Sequence, residues 1–297
     1  MSFASDVKKE LLQIEKKASC CELAECYGML RFSRLFWKDA EYHTENGLLA
    51  RHFAETVSAQ AGVIAEAGTV MRRSSPAFSV RLAGEAERER LLSVFGEPEE
   101  QETPEIRMAF LQKSCCQAAF LRGAFLVCGT VSDPYKEYHL EFATPHASLA
   151  SGLFALISGM EDGMQPALAA RKNNMLVYLK ESERIADLLT YLGAHSSAME
   201  LMQAKMFKEV RNYVNRKTNF ETANISKTVS AAIRQTEAIR RVMETSGIEA
   251  FPEELRELAL LRLENPEMSL REMAERLGLS RSGVNHRMQR ILEIAHT

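Results

Sequence analysis

Ser19-Cys20-Cys21-Glu22-Leu23-Ala24, followed by Gly28 and Leu30, returns as Ser114-Cys115-Cys116-Gln117-Ala118-Ala119, followed by Gly123 and Phe125, an offset of 95. Glu41-Tyr42-His43-Thr44-Glu45 returns as Glu137-Tyr138-His139-Leu140-Glu141 at offset 96, and Glu85-Ala86-Glu87-Arg88 returns as Glu181-Ser182-Glu183-Arg184 at the same offset. Three matches in one order indicate a tandem duplication, and a repeat of this kind decides the architecture before any single element is assigned.

Each copy reads by periodicity. Cys21 to about Phe32 and Cys116 to about Val127 are small and apolar nearly all round, which suits a buried helix. The segments around Tyr42 and Tyr138 alternate polar and aromatic residues, as strands of a half-exposed sheet do. Amphipathic stretches follow at Leu48–Ala61 and Ser148–Met160, then short strand pairs ending in Phe78–Leu82 and Leu176–Leu179, then closing helices at Glu85–Phe95 and Glu181–Leu192. The order αββαββα, twice, predicts an α+β pseudo-dimer over 1–204, with copies of about 1–100 and 101–204.

A helix with a Gly near its middle, a turn and two strands, all duplicated, resembles the LAGLIDADG homing-endonuclease fold, in which two such helices pack at a pseudo-twofold axis. Phe120-Leu121-Arg122-Gly123-Ala124-Phe125-Leu126-Val127-Cys128-Gly129-Thr130 keeps the shape of the motif. The resemblance implies that an acid just before the last Gly holds a divalent metal. Cys128 stands there in the second copy and Ser33 in the first, with Arg34 in place of the Gly. Neither offers the anionic oxygen that Mg²⁺ requires, so an endonuclease is the weaker reading, and no catalytic residue, metal or cofactor is expected.

Between Ala204 and Thr245 two helical patterns flank Thr218-Asn219-Phe220-Glu221-Thr222-Ala223-Asn224, which reads as a turn. From Lys205 to Arg241 nine Lys/Arg stand against three Glu, a balance of +6, which leaves −9 for the rest of a chain of net charge −3. Arg211, Asn215, Arg216, Lys217, Asn224, Lys227 and Arg234 make this 205–249 segment a basic helical linker whose guanidinium, ammonium and amide groups suit phosphate oxygens. Thr245–Pro252 then reads as a hinge.

Residues 250–297 carry a helix-turn-helix pattern. Ser269 and Glu272 form a capping box ahead of a short amphipathic helix, Gly278 ends it, and Ser280 caps a second helix from Arg281 to about Ile294. Ala274, Gly278 and Val284 match the layout in which Ala permits a close crossing, Gly takes the turn and Val enters the core. Ser269, Arg271, Ser280, Arg281, Ser282, Asn285, His286, Arg287 and Arg290 are the expected DNA contacts, because such side chains read base edges and grip phosphate.

The degenerate repeat, the Asn- and Arg-rich segment through Gln235 and the ending Ser280-Arg281-Ser282-Gly283-Val284-Asn285-His286-Arg287 together resemble the WhiA family along essentially the whole chain. The resemblance implies a bacterial transcription regulator that binds promoter DNA and is linked to cell division, chromosome segregation and, where present, sporulation. RNA polymerase or a second regulator is a further implied partner.

Composition bounds these readings. At 297 residues, 46% hydrophobic and 26% charged, the chain can bury a core without disulfides. Its longest apolar runs, such as Leu149–Ile157, fall far short of the roughly 20 residues of a membrane span. The opening Met1–Glu10 turns charged at once and lacks a secretory pattern, so a cytoplasmic, nucleoid-associated location is expected. Cys20, Cys21, Cys26, Cys115, Cys116 and Cys128 include no CxxC pair, and they read as packing residues, with a metal or redox centre as the alternative. His43 and His139 look symmetric between the copies and read as structural histidines.

Overall fold

A computed structural model describes residues 2–15, 18–33, 35, 41–71, 76–98, 103–160 and 163–296. The chain forms two compact units, 1–209 and 210–297. The first contains α1 (Phe3–Leu11), α2 (Ser19–Ser33), β1 (Tyr42–Thr44), α3 (Gly47–Ala61), β2 (Ala65–Met71), β3 (Pro76–Leu82) and α4 (Glu85–Phe95). It continues with α5 (Ser114–Cys128), β4 (Gly129–Val131), β5 (Leu140–Thr144), α6 (Ala147–Ser158), β6 (Ala167–Arg171), β7 (Asn174–Leu179) and α7 (Ser182–Leu192). The second copy is αββαββα. In the first copy the place of β4, between α2 and β1, lies largely outside the described residues, as does Arg34.

Both sheets are antiparallel. Their orders, β1-β3-β2 and β4-β5-β7-β6, match when β1 is laid on β5. The helices α2 and α5 are buried along most of their length because they pack on each other at the centre of the core. The reason they can is Gly28 and Gly123. A Cβ at Gly28 would stand 2.3 Å from the Phe120 carbonyl oxygen, and one at Gly123 would stand 2.2 Å from that of Glu25. Only hydrogen fits at either crossing point.

Strand register corrects the alignment of the repeats. Tyr42 pairs with Val80 and Thr44 with Phe78, whereas Phe142 pairs with Val177 and Thr144 with Met175. Thr44 and Thr144 each accept, at the side-chain oxygen, the backbone N–H two residues on, from Asn46 and His146, the residues that precede α3 and α6. Tyr42 therefore corresponds to Phe142, not Tyr138, and His43 to Ala143, not His139. More residues separate α5 from β5 than separate α2 from β1, so the tetrad match at offset 96 is a coincidence of composition. The two histidines are each served locally: His43 lies 3.6 Å from Glu41, and His139 lies 2.8 Å from Glu141 beside the Tyr178 ring. The closing helices also shift by one residue, since their left-handed caps are Gly96 and Gly193.

A second correction concerns residues 218–224. They do not form a turn, because α8 (His195–Ser246) runs through them without interruption. The stretch contains neither Gly nor Pro, so no helical N–H is missing and no residue demands a left-handed backbone. Thr and Asn each cost only about 0.5 kcal/mol against Ala in a helix. The Thr228 hydroxyl donates to the Asn224 carbonyl (2.9 Å), a bond that only continuous helix supplies.

The start of α8 is capped from a distance. Glu10 in α1 accepts the Ser196 N–H (2.7 Å), the Ser197 N–H (3.0 Å) and the Ser197 hydroxyl (2.6 Å). Burial raises its carboxyl pKa, but these donors outweigh it and hold the group below its ordinary value. A carboxylate at a helix start also meets the positive end of the dipole. Glu10→Gln is expected to cost about 0.5–2 kcal/mol in chemical denaturation at pH 7. The depressed pKa fixes the sign of the pH dependence. The contribution is complete above the unfolded value of about 4.3 and is lost as pH falls through the folded one. A wild-type/variant gap that stayed constant from pH 7 to pH 2 would contradict it.

The second unit contains the C-terminal part of α8, then α9 (Glu253–Glu264), α10 (Leu270–Arg276) and α11 (Arg281–Ile294). Ile239 and Val242 of α8 share one core with Phe251, Leu255, Leu258, Met273, Val284, Met288 and Ile291. Thr245–Pro252 is thus a tight corner within a packed unit rather than a hinge, with Gly247 taking the positive φ of +74° that the corner needs.

Candidate nucleic-acid interface

The local chemistry of α10 and α11 follows the sequence expectation. The Glu272 N–H donates to the Ser269 hydroxyl (3.3 Å), and the Glu272 carboxylate accepts the Ser269 N–H (2.7 Å), closing the capping box. That backbone donor holds the Glu272 carboxyl below its ordinary pKa. Gly278 takes φ +63°, and the Ser280 hydroxyl accepts the Gly283 N–H (3.0 Å) to start α11.

One face of α11 is core and the other is free. Val284, Met288 and Ile291 are fully buried, while Arg281, Ser282, Asn285, His286 and Gln289 are exposed at helical spacing opposite them. Ser280 and Ser282 share a hydroxyl contact of 3.1 Å. Arg281, Asn285 and His286 make no hydrogen bond or ion pair among the described residues, so their donors face solvent. Gln289 on the same face was not singled out from the sequence, although its spacing, four residues after Asn285, marks it.

Arg287 and Arg290 correct the sequence expectation that they are available outward. Both are half-buried. Arg287 donates to the Glu254 carbonyl (3.2 Å), and Arg290 pairs with the Glu254 carboxylate. They fasten α11 to the first turn of α9.

In the same unit a groove is lined by Lys227, Thr228 and Gln235 of α8, by Arg262 of α9, and by Ser269, Arg271 and Arg281. No acidic side chain lines it. The fold therefore brings together residues that the sequence places in two separate segments. Arg262 and Thr228 are the members that sequence reading missed, and Arg262 is the charged one. It is 2% exposed, donates from Nη1 to the Pro266 and Met268 carbonyls (3.2 and 2.6 Å), and leaves Nε without a partner among the described residues. The only signal was an Arg at an apolar position of Leu258-Ala259-Leu260-Leu261-Arg262. Arg271 also meets Glu275 across 3.4 Å on the surface.

The other expected contacts on α8, namely Arg211, Asn215, Arg216, Lys217, Asn224 and Arg234, are all exposed. Arg216, Lys227 and Arg234 are spaced by 11 and 7 residues, about three and two helical turns, and share a face. Lys205 and Lys208, counted in the basic segment, are engaged in the first unit instead. Lys205 pairs with Glu183, and Lys208 donates to the Lys136 carbonyl (3.2 Å) over the Tyr138 ring.

At the C-terminal ends of α2 and α5, where the nuclease resemblance would put metal-binding acids, the donor set does not fit a hard cation. The Ser33 hydroxyl is committed to the Leu30 carbonyl (3.0 Å). Burial pushes the Cys128 thiol up to about 12, so it is neutral, and the Lys8 ammonium from α1 lies within electrostatic reach of it. A lysine there repels a divalent ion.

Among the described residues no helix is long and apolar enough to cross a membrane. The family description of the WhiA C-terminal HTH domain matches residues 214–295, and that of the WhiA LAGLIDADG-like domain matches residues 117–211. A WhiA protein of Alkaliphilus metalliredigens (strain QYMF) is 37% identical over 99% of this chain and 98% of its own length. One of Alkaliphilus oremlandii (strain OhILAs) is 38% identical over 99% and 97%. The crystal structure of full-length DUF199/WhiA from Thermatoga maritima superposes with a TM-score of 0.60 at 22% identity, covering 100% of this chain and 98% of that one. With the duplicated α+β unit, the helix-turn-helix and relatives alike from end to end, this chain belongs to the WhiA family.

Proposed function

We propose that this chain is a sequence-specific double-stranded DNA-binding protein that regulates transcription of genes for cell division, with chromosome segregation and sporulation as further outputs. The groove that joins Lys227 of α8 to Ser269, Arg271 and Arg281, beside the exposed face of α11, carries this reading. It combines a helix of major-groove size with basic groups that suit the flanking phosphates. Relatives bear the name "Probable cell division protein WhiA", which supports the cell-division role. Promoter DNA as the target fits RNA polymerase or another regulator as a partner, and a cytoplasmic, nucleoid-associated location.

In this reading Arg281, Ser282, Asn285 and His286 face base edges. Lys227, Arg216 and Arg234 sit along the phosphates, with Arg211, Asn215, Lys217 and Asn224 as outer contacts. Footprinting on genomic fragments identifies the site. On it, Lys227→Ala in the full chain is expected to weaken specific and random DNA alike and to lower the slope of log K against log salt by about one, as loss of one phosphate contact does. An unchanged slope would remove α8 from the interface.

The first unit acts as a scaffold and not as a nuclease, because Ser33, neutral Cys128 and Lys8 supply no carboxylate for a metal-activated water. Supercoiled plasmid carrying the footprinted site is expected to show no nicking above background in Mg²⁺ or Mn²⁺. Metal-dependent cutting abolished by Lys8→Ala or Cys128→Ala would overturn that.

A further inference from the structure

Four cysteines meet at the end of the first unit opposite to Ser33 and Cys128. Cys20 and Cys21 occupy the first turn of α2, and Cys115 and Cys116 occupy the first turn of α5. The two helices are 15 residues long, so this cluster lies roughly 20 Å from their C-terminal ends. The Sγ atoms of Cys20, Cys21 and Cys116 all lie within 4.8 Å of one another. The Cys116 thiol lies beside Cys20, and the Cys115 thiol beside Cys21, each close enough to perturb the other's ionisation. The offset of 95 exchanges these two cross-helix contacts, so each is the pseudo-twofold mate of the other. Sequence spacing argued against a metal because adjacent cysteines on one helix seldom share an ion. The fold supplies a second pair facing the first, and that objection falls.

We propose that Cys20, Cys21, Cys115 and Cys116 form a binding site for a single thiophilic closed-shell metal ion of the zinc(II) type. Four thiolates around zinc at about 2.3 Å have sulfur separations of about 3.8 Å, which Cys20, Cys21 and Cys116 reach by a contraction of about 1 Å at most, while Cys115, farther out beside Cys21, completes the set by a change of rotamer. Each coordinating thiol gives its proton to solvent, so binding releases protons and conserves charge. The negative charge left on sulfur is favoured by the amino ends of two parallel helices and by Lys113 beside Cys20. Gly28 and Gly123 set the spacing, since any side chain at either crossing would part the two helix starts. Cys20 and Cys21 are half-buried, Cys115 is exposed and Cys116 is buried, so an ion can enter from one side and be shielded from the other. The site is independent of the DNA reading, and it links the two copies of the repeat through metal–sulfur bonds.

The test uses the full chain, fully reduced and stripped of metal under anaerobic conditions. Titration with Co²⁺ as a spectroscopic substitute is expected to give thiolate-to-metal charge transfer that saturates at one ion per chain and is bleached by one equivalent of Zn²⁺. Zinc is expected to raise the melting temperature, because it binds the folded form. Cys20→Ser and Cys115→Ser, at positions that are half-buried and exposed, are each expected to lose at least about tenfold in affinity, or about 1.4 kcal/mol. Cys128→Ser, outside the cluster, is expected to bind as the wild type does. Circular dichroism confirms that each variant is folded, and if one is not, the other carries the same test. No charge transfer, or wild-type affinity in both cluster variants, would overturn the proposal. So would peroxide oxidation to a cross-helix disulfide in a protein that takes up no metal.

Discussion

Arg31→Ala is expected to destabilise the first unit by about 3–5 kcal/mol, the largest single effect expected here, because it removes the buried partner of the Glu97 carboxylate and leaves it to the more distant and more exposed Arg107 guanidinium at 3.7 Å. The Arg31 and Glu97 side chains are 1% and 3% exposed and form a direct ion pair. Arg31 also donates from Nε and Nη2 to the Tyr27 hydroxyl (3.3 and 3.2 Å), which accepts the Arg107 N–H as well (2.9 Å). Burial raises the Tyr27 pKa, so the phenol stays neutral while serving these donors. The pair thereby ties the end of α2 to the segment between the two copies. Denaturant unfolding gives the measurement, and Arg31→Met with Glu97→Leu is the control that separates charge from packing. The double variant is expected to regain most of the loss, since an apolar pair of similar volume leaves no uncompensated charge. A loss under about 1 kcal/mol for Arg31→Ala would mean that Arg107, already 3.7 Å from Glu97, or water compensates the carboxylate in full.

The second large effect is on recognition. Arg281→Ala and Asn285→Ala are each expected to lose about 1–3 kcal/mol on the footprinted site and little on random DNA, because base contacts carry discrimination while phosphate contacts do not. Both side chains are exposed on the free face of α11. Arg290→Ala separates this role from a structural one. Its partner is Glu254 on a half-exposed surface, so its main expected effect is a stability change of about 1 kcal/mol or less. Fluorescence anisotropy at one fixed salt concentration, with specific and scrambled duplexes, reads all three. Equal losses on both duplexes for Arg281→Ala would assign that residue to phosphate.

The capping box at Ser269 and Glu272, the left-handed Gly278 and the Ser280 cap were legible in the sequence because each is a hydrogen bond or backbone constraint spanning at most four residues. Legible too were the central helices, whose residues are apolar nearly all round, and most element limits of the second copy. The tetrads around Tyr42 and Tyr138 misled because four-residue likeness carries no information about loop length. Strand pairing does, and it aligned Tyr42 with Phe142. The polar stretch 218–224 misled for the opposite reason: Thr and Asn favour turns only weakly, and helix on both sides outweighs them.

By itself the sequence determined the duplication, the α+β class, the helix-turn-helix and the exposure of Arg281, Ser282, Asn285 and His286 on α11, set by internal likeness, local periodicity and capping. Tertiary structure alone decided what lies together across long separations. It set the Arg31–Glu97 pair 66 residues apart, the joining of Lys227 to Arg271 and Arg281 in one groove, the diversion of Arg287 and Arg290 to Glu254, and the meeting of Cys20 and Cys21 of one copy with Cys116 of the other. The physical reason is that contacts of this range come from the packing of whole elements. The two bare glycine crossings of α2 and α5 set how close those elements come, and no pattern within a single segment encodes that distance.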